Sequence, residues 1–129
     1  MTFNIWIIVT LLVAHVIGDF FLQTQEMAEQ KSEKKSAMIF HCLIYSALFV
    51  PIAPFIFKAL GIAGSFAPTI WVLSIGWVHG MIDTITADIY KHYVQKTGYK
   101  RGFFNTLGVD QLLHILFLFL SLMAFEGAV

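Results

Sequence analysis

The chain has 129 residues, of which 58% are hydrophobic, 16% aromatic and 12% charged, and its formal net charge is zero. A soluble domain carries roughly 25% charged residues, so this is the composition of a membrane protein, and the lack of a net positive charge argues against a nucleic-acid partner. The length leaves room for one domain, 1–129, and a single cysteine, Cys42, excludes an internal disulfide.

Apolar runs of about 20 residues mark membrane spans, because the hydrocarbon core is about 30 Å thick and a helix rises about 1.5 Å per residue. On that basis the sequence predicts an all-α, four-helix transmembrane bundle. The first span covers roughly 3–23 and ends in "AHVIGDFFLQ". Met1 to Asn4 has no basic side chain, so this run is expected to be a retained span and not a signal peptide. The polar loop "TQEMAEQKSEKKSA" leads to a second span at roughly 38–60, where Pro51 and Pro54 predict a kink or a split. A short connection, "LGIAGSFAP", brings in the third span at roughly 68–90, with Pro68 suited to a helix start. The loop "KHYVQKTGYKRGFFN", broken by Gly98 and Gly102, precedes a fourth span at roughly 104–125.

Lysine and arginine placement sets orientation. Lys31, Lys34, Lys35, Lys91, Lys96, Lys100 and Arg101 fall in the first and third loops, and only Lys58 lies at the other end. Both polar loops are therefore expected in the cytoplasm and both termini outside. Trp6 and Trp71 are then expected at the outer interface, and Tyr90, Tyr93, Tyr99, Phe103 and Phe104 at the inner one.

Three pairs of polar residues stand one helical turn apart: His15 and Asp19 in "HVIGD", His79 and Asp83 in "HGMID", Asp110 and His114 in "DQLLH". Residues four apart share a helix face. The His-then-Asp order reverses in the fourth span, where the chain runs the other way. The three histidines therefore fall at one depth, about 12–15 Å from the cytoplasmic boundary, and the aspartates at about 6–10 Å. His41 falls at the carboxylate level, with Tyr45 one turn deeper. An aspartate near a helix centre costs about 2.5–3.5 kcal/mol on insertion scales, so these groups are expected to face the bundle interior and pair.

The set His15, Asp19, His41, His79, Asp83, Asp110 and His114 suits a divalent transition metal, for which Zn, Mn and Fe all qualify. Some of the aspartates would orient rings and not bind the ion. The plainer alternative is a hydrogen-bonded structural clasp, less economical with three pairs plus His41 at matched depth. Gln23 and Gln111 flank the cluster as hydrogen-bond partners or substrate contacts. Asp88 and His92 read as interfacial. Cys42 points about 100° from His41 on a helix and is not a thiolate ligand. Ser46, Thr84 and Thr86 sit in no nucleophile motif.

The segments "LLVAHVIGDFFLQ", "FHCLIY", "VHGMIDTITADIYK" and "DQLLH" together resemble the domain of unknown function 3307 family of small bacterial and phage membrane proteins. The positions that carry the resemblance are His15, Asp19, Gln23, His41, His79, Asp83, Asp110, Gln111 and His114. It implies a multi-pass protein of the bacterial inner membrane. The His/Asp-bearing apolar helices are also distantly similar to inner-membrane proteins described as metal-dependent hydrolases.

Three functions are compatible with these residues. The first is a metal-dependent hydrolase in the cytoplasmic leaflet, with Asp83 or Asp110 as general base and Lys91, Lys96, Lys100 and Arg101 attracting a phosphate-bearing or lipid-like substrate. The second is a metal or proton transporter or sensor, although the outer halves of the spans are nearly devoid of polar groups and a pathway would need a homo-oligomer. The third is a partner-binding membrane protein with a metal or hydrogen-bond staple.

Overall fold

A computed structural model describes residues 3–24, 33–98 and 101–127. Among these the chain is entirely helical, with five α-helices: α1 (Ile5–Val16), α2 (Lys35–Phe49), α3 (Ala53–Ala59), α4 (Ala67–Ile89) and α5 (Gly102–Gly127). Two π-helical segments, Ile17–Phe21 and Tyr90–Gln95, prolong α1 and α4. Asn4 opens α1, its side chain accepting from the Trp6 N–H, as short polar residues do at helix starts.

Two helical stretches are long and apolar enough to cross a membrane, Ala67–Gln95 and Gly102–Glu126. The second expected span is broken: α2 and α3 meet at a 46° bend, with Pro51 in the break and Pro54 in the first turn of α3, where a missing N–H costs nothing. Counted as one, this bent pair makes a third candidate. The first expected span yields a shorter apolar helix, Ile5–Phe21, whose 17 residues rise about 26 Å and fall short of a full hydrocarbon core.

The helices pack antiparallel, and long-range contacts sort by level. At one end His15 meets Gln111, Asp19 meets His41, and Thr86 meets Asp110. At the other end Phe3 packs on Phe119 with ring centroids 5.3 Å apart. There Phe57 lies 5.7 Å from both Trp71 and Phe125, and Phe49 lies 5.8 Å from Trp71. One end of the bundle is thus a polar cluster and the rest an aromatic core.

Trp71, expected at the outer interface, faces the interior of the bundle. It is fully buried, and its indole N–H donates to Ser121 Oγ at 2.8 Å. A buried indole needs an acceptor, and α5 supplies one inside the bundle. Trp6 is largely exposed.

The seam between α2 and α4 depends on small residues. Gly76 and Gly80 flank His79 in "GWVHG". A Cβ on Gly76 would overlap Ser46 Oγ and stand 3.2 Å from Ser46 Cβ, and one on Gly80 would stand 2.8 Å from Cys42 Sγ. Small residues four apart let two backbones approach closely in a membrane-type interface. That approach allows His41 on α2 and His79 on α4 to meet.

Candidate metal centre

Six of the seven sequence-predicted ligands fall into two overlapping groups. Asp19, His41, His79 and Asp83 form the first, and Asp19, Asp110 and His114 the second. All six residues are buried, and within each group the donor atoms lie within 4.8 Å of one another. Asp19 belongs to both. It sits in the π-helical segment after α1, a local widening of the helix common at functional sites.

The first group is compact. His41 Nε2 lies 2.9 Å from His79 Nε2, 3.3 Å from Asp19 Oδ1 and 3.4 Å from Asp83 Oδ2. His79 Nε2 lies 3.7 Å from each of the same two oxygens. A tetrahedral ion with bonds of about 2.05 Å has donor–donor edges of about 3.3 Å. The five separations bracket that value. Asp19 Oδ1 is buried and has no hydrogen-bond partner among the described residues, as a carboxylate oxygen held for a cation would be.

His79 stacks on Tyr45, with centroids 3.9 Å apart and planes 8° from parallel. Its Nδ1 has no hydrogen-bond partner among the described residues. Ligating histidines usually hold their second nitrogen with a hydrogen bond, so here Tyr45 stacking takes over the orientation of the ring.

His114 follows the usual pattern. Its Nδ1–H donates to the Asp110 backbone carbonyl at 2.8 Å, which leaves the Nε2 lone pair facing inward, 3.7 Å from Asp83 Oδ1. That Nε2 too is buried without a hydrogen-bond partner among the described residues.

His15 stands apart from both groups. Its Nε2–H donates to Gln111 Oε1 at 2.8 Å, so Nδ1 accepts from the Tyr45 hydroxyl at 3.0 Å. With both nitrogens engaged, His15 orients Gln111 and Tyr45. Gln111 in turn donates from Nε2 to Asp19 Oδ2 at 2.7 Å and to Asp110 Oδ2 at 3.0 Å. Only this orientation of the amide gives both carboxylates a donor.

Thr86, which sits in no nucleophile motif, has a different role. Its hydroxyl lies 2.6 Å from Asp110 Oδ1 and donates to it. The signal available in the sequence was register: His79, Asp83 and Thr86 follow at i, i+4 and i+7 on one helix face.

The remaining predicted residues lie outside the cluster. Gln23 follows the π-helical segment in a bend, half-buried. Lys91 is eight residues beyond Asp83 and Arg101 nine before Asp110, about 12–14 Å along their helices. Lys91 is half-buried; Lys96 and Arg101 are exposed. Lys100, like Lys31 and Tyr99, lies outside the described residues. His92 is exposed and donates to the backbone carbonyl of Asp88 at 3.0 Å. Cys42 faces Gly80 across the seam.

Gln111 is the residue on which the carboxylate geometry converges, which makes a direct prediction. Gln111→Leu removes the shared donor and leaves Asp19 and Asp110 to repel each other. Metal affinity, read by chelator competition, is expected to fall about 10–100-fold, the range for losing an outer partner of a metal ligand. A change under twofold would show that the amide does not organise the cluster.

The residues present fit a divalent ion: two imidazole nitrogens and two carboxylate oxygens with five of their six separations between 2.9 and 3.7 Å, in a setting where unpaired buried charge is costly. No curated protein and no solved structure matches the chain. A family profile, described as protein of unknown function (DUF3307), matches residues 7–127, and the chain belongs to that family.

Proposed function

We propose that the protein is an integral membrane, metal-dependent hydrolase whose centre opens toward the polar loops and acts on a lipid-like or phosphate-bearing substrate. The observation that carries this reading is the tetrahedral spacing of Asp19, His41, His79 and Asp83, with five donor–donor separations of 2.9–3.7 Å. A bound divalent ion would lower the pKa of a water and polarise a phosphoryl or carbonyl oxygen. Asp110 is the one aspartate of the cluster outside those four donors. It is the base that takes the proton of the attacking water as the bond to the leaving oxygen breaks, and solvent protonates that oxygen. Thr86 and Gln111 hold Asp110 in place for this.

An apolar groove of about 590 Å³ runs along the seam of α2 and α4 past Cys42, Ser46, Gly76 and Gly80, which suits a lipid tail beside the metal-bearing helices. In this reading the chain crosses a bacterial inner membrane four times, the short Ile5–Phe21 stretch and the bent α2–α3 pair each counting as one span, with the polar loops in the cytoplasm.

A metal staple is the second reading, favoured by the near-complete burial of the first group, no member of which is more than 4% exposed. Transport is disfavoured by the aromatic core of Tyr45, Phe49, Phe57, Trp71 and Phe125 that fills the opposite end.

Elemental analysis of detergent-purified, chelator-free protein tests the metal. Bound divalent metal is expected in the wild type and its loss in His79→Ala; metal-free wild type would overturn the reading. Release of phosphate or headgroup from proteoliposomes separates the enzyme from the staple. For orientation, Ser32→Cys is expected to react with an impermeant thiol reagent only from the cytoplasmic side, and labelling only from outside would reverse the topology.

A further inference from the structure

We infer that the centre binds two divalent ions and that the second, held by Asp19, Asp110 and His114, is the one that meets the substrate. The inference rests on the metal reading proposed above and adds the number of ions and their division of labour.

His114 Nε2 carries the argument. The first group uses His41 and His79 and has no place for it, yet His114 is 2% exposed and its tautomer is fixed by the bond from Nδ1 to the Asp110 carbonyl. A buried lone pair aimed into a cluster of carboxylates, with no donor to accept from among the described residues, is energetically unfavourable unless a positive charge sits there, either a proton facing Asp83 or a metal ion; the neighbouring carboxylates of Asp19 and Asp110 supply the ligands for the second. Asp110 and Asp19 complete a group around it with donor atoms within 4.8 Å. Asp110 is pre-oriented, one oxygen accepting from Thr86 and the other from Gln111.

Two carboxylates link the groups. Asp19 belongs to both, and Asp83 directs Oδ2 toward His41 and His79 and Oδ1 toward His114. Carboxylates shared in this way hold paired ions in helical bundles.

Charge points the same way. Three aspartates beside neutral imidazoles place three negative charges in the cluster. One divalent ion leaves a buried negative charge. Two leave a single positive charge, matched to an anionic oxygen of a phosphate-bearing substrate.

The two groups differ in ligand count. Four protein donors close a tetrahedral site, whereas three leave a position for water or substrate. The three-donor group is also the more accessible, since Asp110 is 7% exposed, against at most 4% for any member of the first group, and its hydrogen-bond partner Gln111 is half-buried. Asp110 binds its ion through one carboxylate oxygen and keeps the other for the proton.

Reconstitution with Mn(II) tests this through metal count and spectroscopy. Wild type is expected to bind two Mn(II) per chain with the spin-coupled resonance of a close pair and to enhance water-proton relaxation. His114→Gln and Asp110→Asn, both chosen to keep side-chain volume, are expected to bind one Mn(II), lose the coupling and lose most of the water relaxation. A thermal unfolding transition in both variants confirms that they are folded. One Mn(II) in the wild type, unchanged in both variants, would overturn the inference and leave the single-metal reading standing. Two ions retained in both variants would overturn the assignment of ligands. No Mn(II), Zn(II) or Fe(II) bound to the wild type would overturn the metal reading itself.

Discussion

Asp83→Asn is expected to abolish the stabilisation that divalent metal gives the protein while leaving the metal-free fold intact. Asp83 lies 3.4 Å from His41 Nε2, 3.7 Å from His79 Nε2 and 3.7 Å from His114 Nε2, so it touches every histidine assigned to the centre. In the wild type an ion at 100 times its dissociation constant raises stability by about 2.7 kcal/mol, and the melting temperature should climb with added Mn(II) or Zn(II). The amide keeps the shape of the carboxylate and removes its charge, and that climb should vanish. In chelator the outcome differs in sign between the two main readings. For a metal centre, loss of one of three adjacent carboxylates relieves repulsion, and the melting temperature holds or rises. For a histidine–aspartate clasp, the change strips a buried ion pair of one partner and costs about 3–5 kcal/mol whether metal is present or not. Thermal melts of the two proteins with and without metal decide between them.

Gly76→Leu is expected to destabilise the bundle by about 1–3 kcal/mol, the usual cost of forcing a side chain into a packed site, and to lose metal binding as well. Even a Cβ at this position overlaps Ser46 Oγ, and Ser46 Cβ stands 3.2 Å away. The hydroxyl can rotate only by giving up its 2.8 Å bond to the Cys42 carbonyl, and the larger side chain then drives α2 from α4. His41 and His79 sit on those two helices, and sites of this kind tolerate a displacement of only about 0.5 Å. The control is Gly76→Ala combined with Ser46→Gly, which removes both close contacts. The pair is expected to recover most of the metal affinity lost in Gly76→Ala alone. Equal affinity in Gly76→Leu and the wild type would show that the seam does not set the spacing of the histidines.

The convergence of the cluster could be read from the sequence because membrane composition makes ionisable residues rare, and helical spacing fixes the face each one occupies. The reversed order in "DQLLH" sufficed to bring His114 to the level of His15 and His79. The division of roles could not be read that way. His15 and His79 have the same spacing to an aspartate, yet His15 has both nitrogens occupied by Tyr45 and Gln111. Those partners come from α2 and α5, and contacts across helices leave no mark on local periodicity. Gln111 was visible only as a flanking polar residue; its bonds to two carboxylates depend on how the helix ends are juxtaposed. For Trp71 a related limit applies. The topology placed it by level along the span and not by facing, and Ser121 on a facing helix satisfies the indole inside the bundle. The break in the second span was legible, since Pro51 and Pro54 predict a kink or a split and α2 and α3 diverge by 46°. Hydropathy registers only a run of apolar residues, and it did not show that the first span would yield the shorter helix Ile5–Phe21.

That bend has a further consequence. It turns α3 so that Phe57 closes on Trp71 and Phe125, and Phe49 and Tyr45 continue the stack up to the ring of His79. The centre is therefore a blind alley, closed at its aromatic end. Under the metal reading proposed above, ions would exchange only on the side of Asp110 and Gln111, so occupancy would follow the free-metal pool on the side of the polar loops and be indifferent to the pool at the aromatic end.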